Sequence, residues 1–233
     1  MCIYLDNNSR IEGYECTPLL PLSLAVENLK NHVRNIKRNA WIALERSIQP
    51  TDDLTADESA AIQIYTMEGK PGYPSLSMQL NVALRSEDRD RLVPYFPYFK
   101  LLLTALWKLK STTRIVWRGV NGDVRKQYSI GKLFVWWGFS SCMESRDVLL
   151  LNKYLGINGL RTLFSIESTN GKMIHSHAYN KTENEILFLP ATQFQVIKHE
   201  KFDTNVYIVH LKEISLFDSD YSSILPAVNK TND

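Results

Sequence analysis

The spacing of apolar residues divides the chain into a first half with helical periodicity and a second half of short apolar segments. Over residues 22–46, apolar side chains recur every three or four positions and therefore fall along one stripe of a helix. They are Leu22, Val26, Leu29, Val33, Ile36, Ala40 and Ala43. The pattern predicts one amphipathic helix over this range.

Three further helices are predicted before residue 110. Thr55 followed by Glu58 is a capping-box pattern, in which each side chain bonds the backbone N–H of the other residue, so a helix is expected to begin there. The Gly/Pro-rich stretch GKPGYP ends that helix. Shorter helices are predicted over residues 77–84 and 94–109, the latter with Pro near its start and lysines in its last turn.

After residue 110 the apolar segments are short, β-branched or aromatic, and separated by Gly, Asn, Asp or Lys. Strands are predicted over residues 114–117, 132–140, 161–166, 185–189, 194–199 and 206–211, interrupted by one helix over 147–155. Helices first and strands second indicate an α+β architecture. We expect one domain over residues 1–233, with a helical lobe at 1–110, a β-rich core at 111–221 and a tail at 222–233.

Composition and charge narrow the function classes. The chain has 44% hydrophobic and 22% charged residues and a net charge of +2, which argues against a nucleic-acid or membrane-surface partner. The basic run at residues 30–38 alternates with apolar positions and is typical of the solvated face of an amphipathic helix. The chain contains no apolar stretch of membrane-spanning length and no signal-peptide pattern, so we expect a cytoplasmic location.

Cysteine usage supports the same expectation. Cys2, Cys16 and Cys142 are odd in number and share no metal-ligand spacing. We therefore expect neither a disulfide framework nor a zinc site, and we expect the protein to reside in a reducing compartment.

Two glutamates are the first candidates for chemistry. Glu183 and Glu185 stand two positions apart at the start of an apolar strand, so both side chains leave the same face. Like charges this close repel each other unless a cation, a developing positive charge or several donors meet them. Alternating glutamates at a strand edge also serve solubility, and the pair alone leaves both interpretations open.

Two other strand-like segments present polar groups. Arg118 precedes Gly119, where backbone amides can approach a ligand, and its planar guanidinium suits a phosphate. Ser140 and Ser141 follow the aromatic run FVWWGF. Each of these features also has an ordinary structural explanation. Arg118 could form an ion pair at the end of a strand, FVWWGF could be a core strand, and the two serines could lie in a turn.

The order of these groups is more specific than any one of them. Arg, then aromatic-Ser-Ser, then Glu-x-Glu resembles the R-S-E class of arginine-specific mono-ADP-ribosyltransferases, which includes clostridial binary-toxin enzyme subunits. The stretch AIQIYTMEGKPGYPSLSMQLNVALR is similar to a family segment with a Tyr-Thr pair, an Asn and an Arg, here Tyr65, Thr66, Asn81 and Arg85. VWRGV, RTLFSIESTNGKMI and ENEILFLPATQFQV keep the family's order. The resemblance extends over residues 55–212.

The resemblance implies a fold and an activity. A helical lobe would pack on a pair of mixed or antiparallel β-sheets, with NAD as co-substrate in the cleft and no metal. The chain would transfer ADP-ribose from NAD to protein arginine and release nicotinamide. NAD and an acceptor protein are then the expected partners of a monomeric enzyme. Because no G-x-G-x-x-G follows a strand, phosphate recognition would not use a Rossmann fingerprint.

Four residues would take the family's central roles. Arg118 would bind the pyrophosphate side of NAD, and Gly119 would offer backbone hydrogen bonds to the nicotinamide amide. Ser140, as the first serine of the motif, would steady the nicotinamide ribose and the catalytic carboxylate. That carboxylate would be Glu185, which stabilises the positive charge that develops on the sugar.

The acceptor side is implied in the same way. Glu183 would orient or deprotonate the incoming guanidinium, whose pKa lies far above neutrality. Tyr179 lies on the loop that shapes substrate choice in the family, and Tyr65 borders the cofactor cleft. Two departures from the motif are Ser141, where Thr is usual, and Cys142, in place of the last hydroxyl; both are expected to be tolerated.

Other functions remain open from sequence. NAD glycohydrolase activity would use the same residues with water as acceptor, and an inactive NAD-binding module would retain the fold without turnover. His175 and His177 could share a strand face and bind a metal, although no third ligand lies nearby in the sequence.

Overall fold

The computed structural model describes residues 11–149, 159–181 and 184–214, and among these residues all but one of the α-helices precede the strands. The helices are α1 (Leu22–Ala25), α2 (Ile36–Glu45), α3 (Ala56–Tyr65), α4 (Leu76–Arg85), α5 (Phe96–Lys108) and α6 (Arg146–Leu149). The strands are β1 (Ser111–Thr112), β2 (Ile115–Asn121), β3 (Leu133–Trp136), β4 (Ser140–Met143), β5 (Arg161–Glu167), β6 (Gly171–Met173), β7 (Glu185–Phe188), β8 (Thr192–Asp203) and β9 (Val206–Ile214). The predicted α+β class is confirmed. The predicted tail and the later part of the helix predicted over 147–155 lie outside the described residues.

The prediction of one continuous helix over residues 22–46 is wrong. A 3₁₀ turn at Glu27–Leu29 follows α1, and Asn35 has φ 57°, in the left-handed region where an α-helix cannot continue. The seven apolar side chains of the predicted stripe are nevertheless all buried. The pattern therefore identified the buried face but not the break in the backbone.

Helix α3 begins at the predicted capping box and forms the centre of the helical layer. The Thr55 side chain accepts a hydrogen bond from the Glu58 N–H at 3.2 Å, and the Thr55 N–H donates to Glu58 Oε2 at 2.8 Å. Helices α2 and α5 both pack against α3, which buries every residue from Glu58 to Tyr65. Lys108 donates to the buried Glu58 carboxylate at 2.7 Å, so that charge is paired.

The strands among the described residues form one sheet in the order β1-β6-β7-β4-β2-β5-β9-β8-β3. Only the β5–β9 pair is parallel within it. A single register pair, Trp117↔Met143, joins β2 to β4. The parts on either side of this joint pack their apolar side chains together, as in the contact of Phe188 with Phe194 at 5.3 Å between ring centroids. The two expected sheets are thus two parts of one hydrogen-bonded sheet.

The helical layer meets the sheet at Phe139, immediately before β4. Its ring centroid lies 5.1 Å from that of Tyr65, at the C-terminal end of α3, and 6.0 Å from that of Phe99 in α5. Because Phe139 is fixed by both helices, the serines that follow it are held beside the end of α3. In the part of the chain that the structure describes, no helix has the length and apolar character needed to cross a membrane.

The cysteines differ from the expectation in one respect. Cys16 is disulfide-bonded, so the prediction that disulfides are lacking is wrong for this residue, whose spacing in the sequence gave no sign of it. Cys142 is a free thiol in the core between the two parts of the sheet, and burial raises its pKa to about 12. The unpaired thiol is therefore protonated and packs as an apolar group.

Candidate active site

Glu185 is the first residue of β7 and lies half-buried at the edge of the helical layer. Its Oε1 atom accepts a hydrogen bond of 2.5 Å from Ser141 Oγ. The neighbouring strand β4 supplies this serine because β4 and β7 pair along their whole length. Glu183, the other candidate carboxylate, lies outside the described residues.

The structure brings Ser141, rather than Ser140, to the carboxylate. Side chains alternate along β4, so Ser140 and Cys142 leave one face while Ser141 and Met143 leave the other. Ser140 is only 7% exposed and pairs with Phe188 in the register with β7. Sequence reasoning did not single out Ser141 as the serine beside Glu185, because two adjacent serines look alike until the register between β4 and β7 is known.

Arg118 lies half-buried in the middle of β2 and holds the backbone of the same serine. Its Nη1 atom donates to the Ser141 carbonyl oxygen at 2.8 Å, and its guanidinium carbon lies 5.8 Å from the centroid of the Trp136 ring. The contacts therefore run from Arg118 through Ser141 to Glu185. Arg118 and the following Gly119 line one cleft together with Ser141 and Glu185.

Tyr65 presents its hydroxyl to this cleft from the C-terminal end of α3. The hydroxyl accepts a hydrogen bond of 3.1 Å from the Asn81 side-chain amide. Burial raises the pKa of Tyr65 and is the largest effect on it. The hydrogen bond from Asn81 opposes this shift, the charge of Glu185 raises the pKa further, and the charges of Arg118 and Arg85 lower it. Tyr65 is therefore a neutral hydroxyl at physiological pH.

Gly138 allows helix α4 to approach the sheet. A Cβ atom at this position would lie 2.8 Å from Asn81 Oδ1 and 3.2 Å from Arg85 Nη1. The predicted continuous strand over residues 132–140 is interrupted here, between β3 and β4. Asn81 Oδ1 is buried and has no hydrogen-bond partner among the described residues, so a ligand donor or a water molecule is needed to satisfy it.

Two clefts meet at Glu185. The first has a volume of about 600 Å³ and is lined by Tyr65, Asn81, Arg85, Arg118, Gly119, Ser141 and Glu185, together with neighbouring residues. The second has a volume of about 620 Å³ and is lined by Arg34, Arg46, Lys70, Tyr73, Tyr179 and Glu185, among others. A carboxylate at the junction can contact a molecule in either cleft.

Tyr179 forms part of the wall of the second cleft and is tied to the end of α3. Its backbone N–H donates to Thr66 Oγ1 at 2.8 Å, and its carbonyl oxygen accepts from Arg46 Nη2 at 3.3 Å. The Arg46 guanidinium also stacks on the Tyr179 ring, 4.4 Å from its centroid. Tyr179 as a whole is 41% exposed and lines the cleft, so a molecule there can contact it.

His177 has a structural environment rather than the metal site that the His175/His177 pair left open. Its Nε2 atom lies 3.1 Å from Asp52 Oδ2 and its Nδ1 atom 2.9 Å from Ser59 Oγ. Burial lowers the pKa of His177, although Asp52 acts in the opposite direction. The neutral ring therefore donates from Nε2 to the carboxylate and accepts at Nδ1 from Ser59, which holds residue 177 against α3.

The family model for NAD:arginine ADP-ribosyltransferase (ART) matches residues 23–217. The putative NAD(+)–arginine ADP-ribosyltransferase Mav of Mycobacterium avium is 33% identical over 150 residues, which are 64% of this chain. The match spans only 17% of that relative's length.

Solved structures share the fold. Vis, an ADP-ribosyltransferase toxin from Vibrio splendidus, in complex with agmatine, has a TM-score of 0.57 at 19% identity, covering 81% of this chain and 90% of the other. The type III effector XopAI of Xanthomonas axonopodis pv. citri has a TM-score of 0.62 at 18% identity, with coverage of 84% and 82%. The eucaryotic mono-ADP-ribosyltransferase ART2.2 has a TM-score of 0.59 at 19% identity, with coverage of 82% and 84%. At these identities the likeness shows the fold alone.

Proposed function

The chain belongs to the NAD:arginine ADP-ribosyltransferase family, and we propose that it transfers ADP-ribose from NAD to the guanidinium group of protein arginine, releasing nicotinamide. The observation that carries this proposal is the series of contacts from Arg118 through Ser141 to Glu185 at the junction of two clefts. A carboxylate in that position can act on one molecule while another approaches it from the second side.

The first cleft fits NAD. Its volume of about 600 Å³ lies within the range of sites for small molecules and cofactors. Arg118 and Arg85 would bind the pyrophosphate, since guanidinium groups form charge-assisted hydrogen bonds with phosphate oxygens. The buried Asn81 Oδ1 would accept a hydrogen bond from a donor group of the ligand, and Gly119 would offer its backbone to the nicotinamide amide.

Glu185 would stabilise the positive charge that develops on the ribose as the bond to nicotinamide breaks. Carboxylates serve this purpose in glycoside hydrolysis, and they act most strongly when their orientation is fixed beforehand. Ser141 fixes one carboxylate oxygen through its hydroxyl, and Arg118 fixes the backbone of Ser141. We therefore assign the role expected for Ser140 to Ser141.

The acceptor would enter through the second cleft and reach Glu185 from the side opposite NAD. A guanidinium is a poor nucleophile because its pKa lies above 12, so a carboxylate is needed to attract it and to receive a proton. Glu183 remains our proposal for that carboxylate. Tyr179, whose exposed ring lines the second cleft, is proposed to contact the acceptor.

The test is an assay with NAD labelled in its adenylate part and agmatine, the guanidinium compound held by one structural neighbour. Wild-type protein is expected to release nicotinamide and to label agmatine. Glu185→Gln should lower both rates ~10²-fold or more, since one stabiliser of transition-state charge is lost, while the melting temperature stays unchanged. Wild-type turnover by Glu185→Gln would refute the assigned role.

The same assay separates the other activities of this fold. Nicotinamide release without labelled agmatine or labelled protein would identify an NAD glycohydrolase. A rise in melting temperature with NAD but without nicotinamide release would identify an inactive binding module.

A further inference from the structure

Basic and acidic residues line different parts of the second cleft. Arg34, Arg46 and Lys70 line this cleft and not the first one. Glu68 and Glu185 line both clefts and therefore lie where the two meet. A molecule in the second cleft would meet acidic groups at the junction and basic groups farther from it.

The two arginines are held in place by aromatic rings. The guanidinium carbon of Arg34 lies 3.9 Å from the centroid of the Tyr73 ring, and that of Arg46 lies 4.4 Å from the centroid of the Tyr179 ring. Stacking occupies the flat face of a guanidinium and leaves N–H groups in its plane for a carboxylate. Fixing the side chains beforehand also reduces the entropy that binding would otherwise cost.

These cations have no acidic partner within the described residues. Ion pairs there engage other basic side chains, such as Lys37 with Glu27 and Lys108 with Glu58, but none of Arg34, Arg46 and Lys70. Arg46 donates one N–H to the Tyr179 carbonyl oxygen, and its other N–H groups remain available to a ligand. All three side chains are exposed and can meet a charged partner.

We infer that the second cleft selects acceptor arginines that have acidic residues beside them in the sequence. The target guanidinium would be attracted to Glu185, and flanking carboxylates would bind Arg34, Arg46 and Lys70. This inference rests on the proposed transfer to arginine and specifies its substrate class. An acceptor with basic flanks would be repelled by the same three cations.

The test compares two peptides of equal length, each with one central arginine. One peptide has Asp and Glu on both sides of the arginine, and the other has Asn and Gln in their place. Exposed ion pairs each contribute little, so three together are expected to raise kcat/KM ~10-fold for the acidic peptide. The preference should fall to ~2-fold or less in 0.5 M NaCl because salt screens exposed charges.

A charge-reversal variant checks which residues are responsible. In Arg34→Glu/Lys70→Glu the preference for the acidic peptide should disappear, while the melting temperature should stay close to that of wild type because both side chains are exposed. The matched control is Arg38→Glu/Lys126→Glu, which makes the same charge change at exposed positions outside both clefts. The control should retain the preference.

The outcomes separate this inference from the proposed function. Equal kcat/KM for the two peptides with wild-type protein that modifies agmatine would overturn the acidic-flank preference and leave arginine transfer standing. Loss of the preference in the Arg38/Lys126 control would also overturn it, because general charge would then be the cause. No transfer to agmatine or to either peptide would overturn the proposed function itself.

Discussion

His177 and Glu185, eight positions apart, each belong to a hydrogen-bonded polar cluster that includes a serine. His177 contacts Ser59 and Asp52, while Glu185 contacts Ser141. The clusters differ in burial: the His177 side chain is 2% exposed, whereas Glu185 is half-buried and lines two clefts. By residue type alone, Ser with His and Asp looks the more suited to chemistry.

The difference predicts that burial, rather than residue type, separates structural from chemical roles in this chain. Ser59 lies within α3 and is buried, with its hydroxyl engaged by the imidazole ring. Its hydrogen bonds connect the segment that carries Tyr179 to the helical layer. The Glu185 cluster, in contrast, presents a carboxylate to two spaces large enough for ligands. Changes in the first cluster should alter stability, and changes in the second should alter turnover.

The largest effect is expected from His177→Ala. Removing the ring leaves a cavity and takes away the partner of both Ser59 and Asp52, so the free energy of unfolding should fall by ~3 kcal/mol. Urea unfolding followed by circular dichroism measures it. His175→Ala is the matched control: His175 is half-buried in the same segment, and its loss should cost under ~1 kcal/mol. Unchanged unfolding in His177→Ala, together with reduced turnover, would assign this cluster to chemistry.

An intermediate effect is expected in the serine pair of β4. Ser141→Ala removes the hydrogen bond that orients Glu185 and should lower kcat/KM for nicotinamide release ~10-fold, which corresponds to about 1.4 kcal/mol. Ser140→Ala should change it less than ~2-fold, since the Ser140 side chain leaves the other face of the strand. Both variants should unfold at nearly the wild-type urea concentration. The opposite order of effects would restore Ser140 to the role that the sequence resemblance gave it.

These two serines also mark how far sequence reasoning reaches. The run of apolar residues predicted a strand there, and the order of Arg118, the serines and Glu185 predicted a common site. Which serine faces the carboxylate depends on the register between β4 and β7, where Ser141 stands opposite Leu187. Two adjacent serines are equivalent in a local pattern, so only the pairing of distant segments distinguishes them.

The helical half gives the same lesson for backbone structure. The capping box at Thr55 involves residues three positions apart, and the sequence predicted it correctly. The break at Asn35 depends on one residue in the left-handed region, within a stripe whose apolar spacing is uninterrupted. The contacts of Arg34 with Tyr73 and of Arg46 with Tyr179 join segments that are distant in the sequence, so no local pattern predicts that these basic residues line one cleft.

The smallest effect concerns the pH dependence of stability, and its sign follows from the lowered pKa of His177. Because the folded state holds this ring neutral, mainly through burial, the unfolded chain binds the proton more readily once the pH falls below the ordinary value of 6.5. The contribution of neutral His177 to the free energy of unfolding is therefore fully present above pH 6.5 and declines as the pH falls below that value. The nearby charges of Lys181 and His175 lower the pKa as well, while Asp52 opposes the shift.

His177→Gln isolates this contribution, since glutamine retains hydrogen-bonding capacity but does not titrate. Between pH 7 and pH 5.5 wild type should lose more free energy of unfolding than the variant does, by less than the ~1.4 kcal/mol per pH unit that one proton can supply. Urea titrations of both proteins at the two pH values measure the difference. An equal or smaller loss in wild type would mean that the folded state accepts the proton as readily as the unfolded chain. The His177 cluster would then tolerate a charge as the Glu185 cluster does, and burial would no longer distinguish the two clusters.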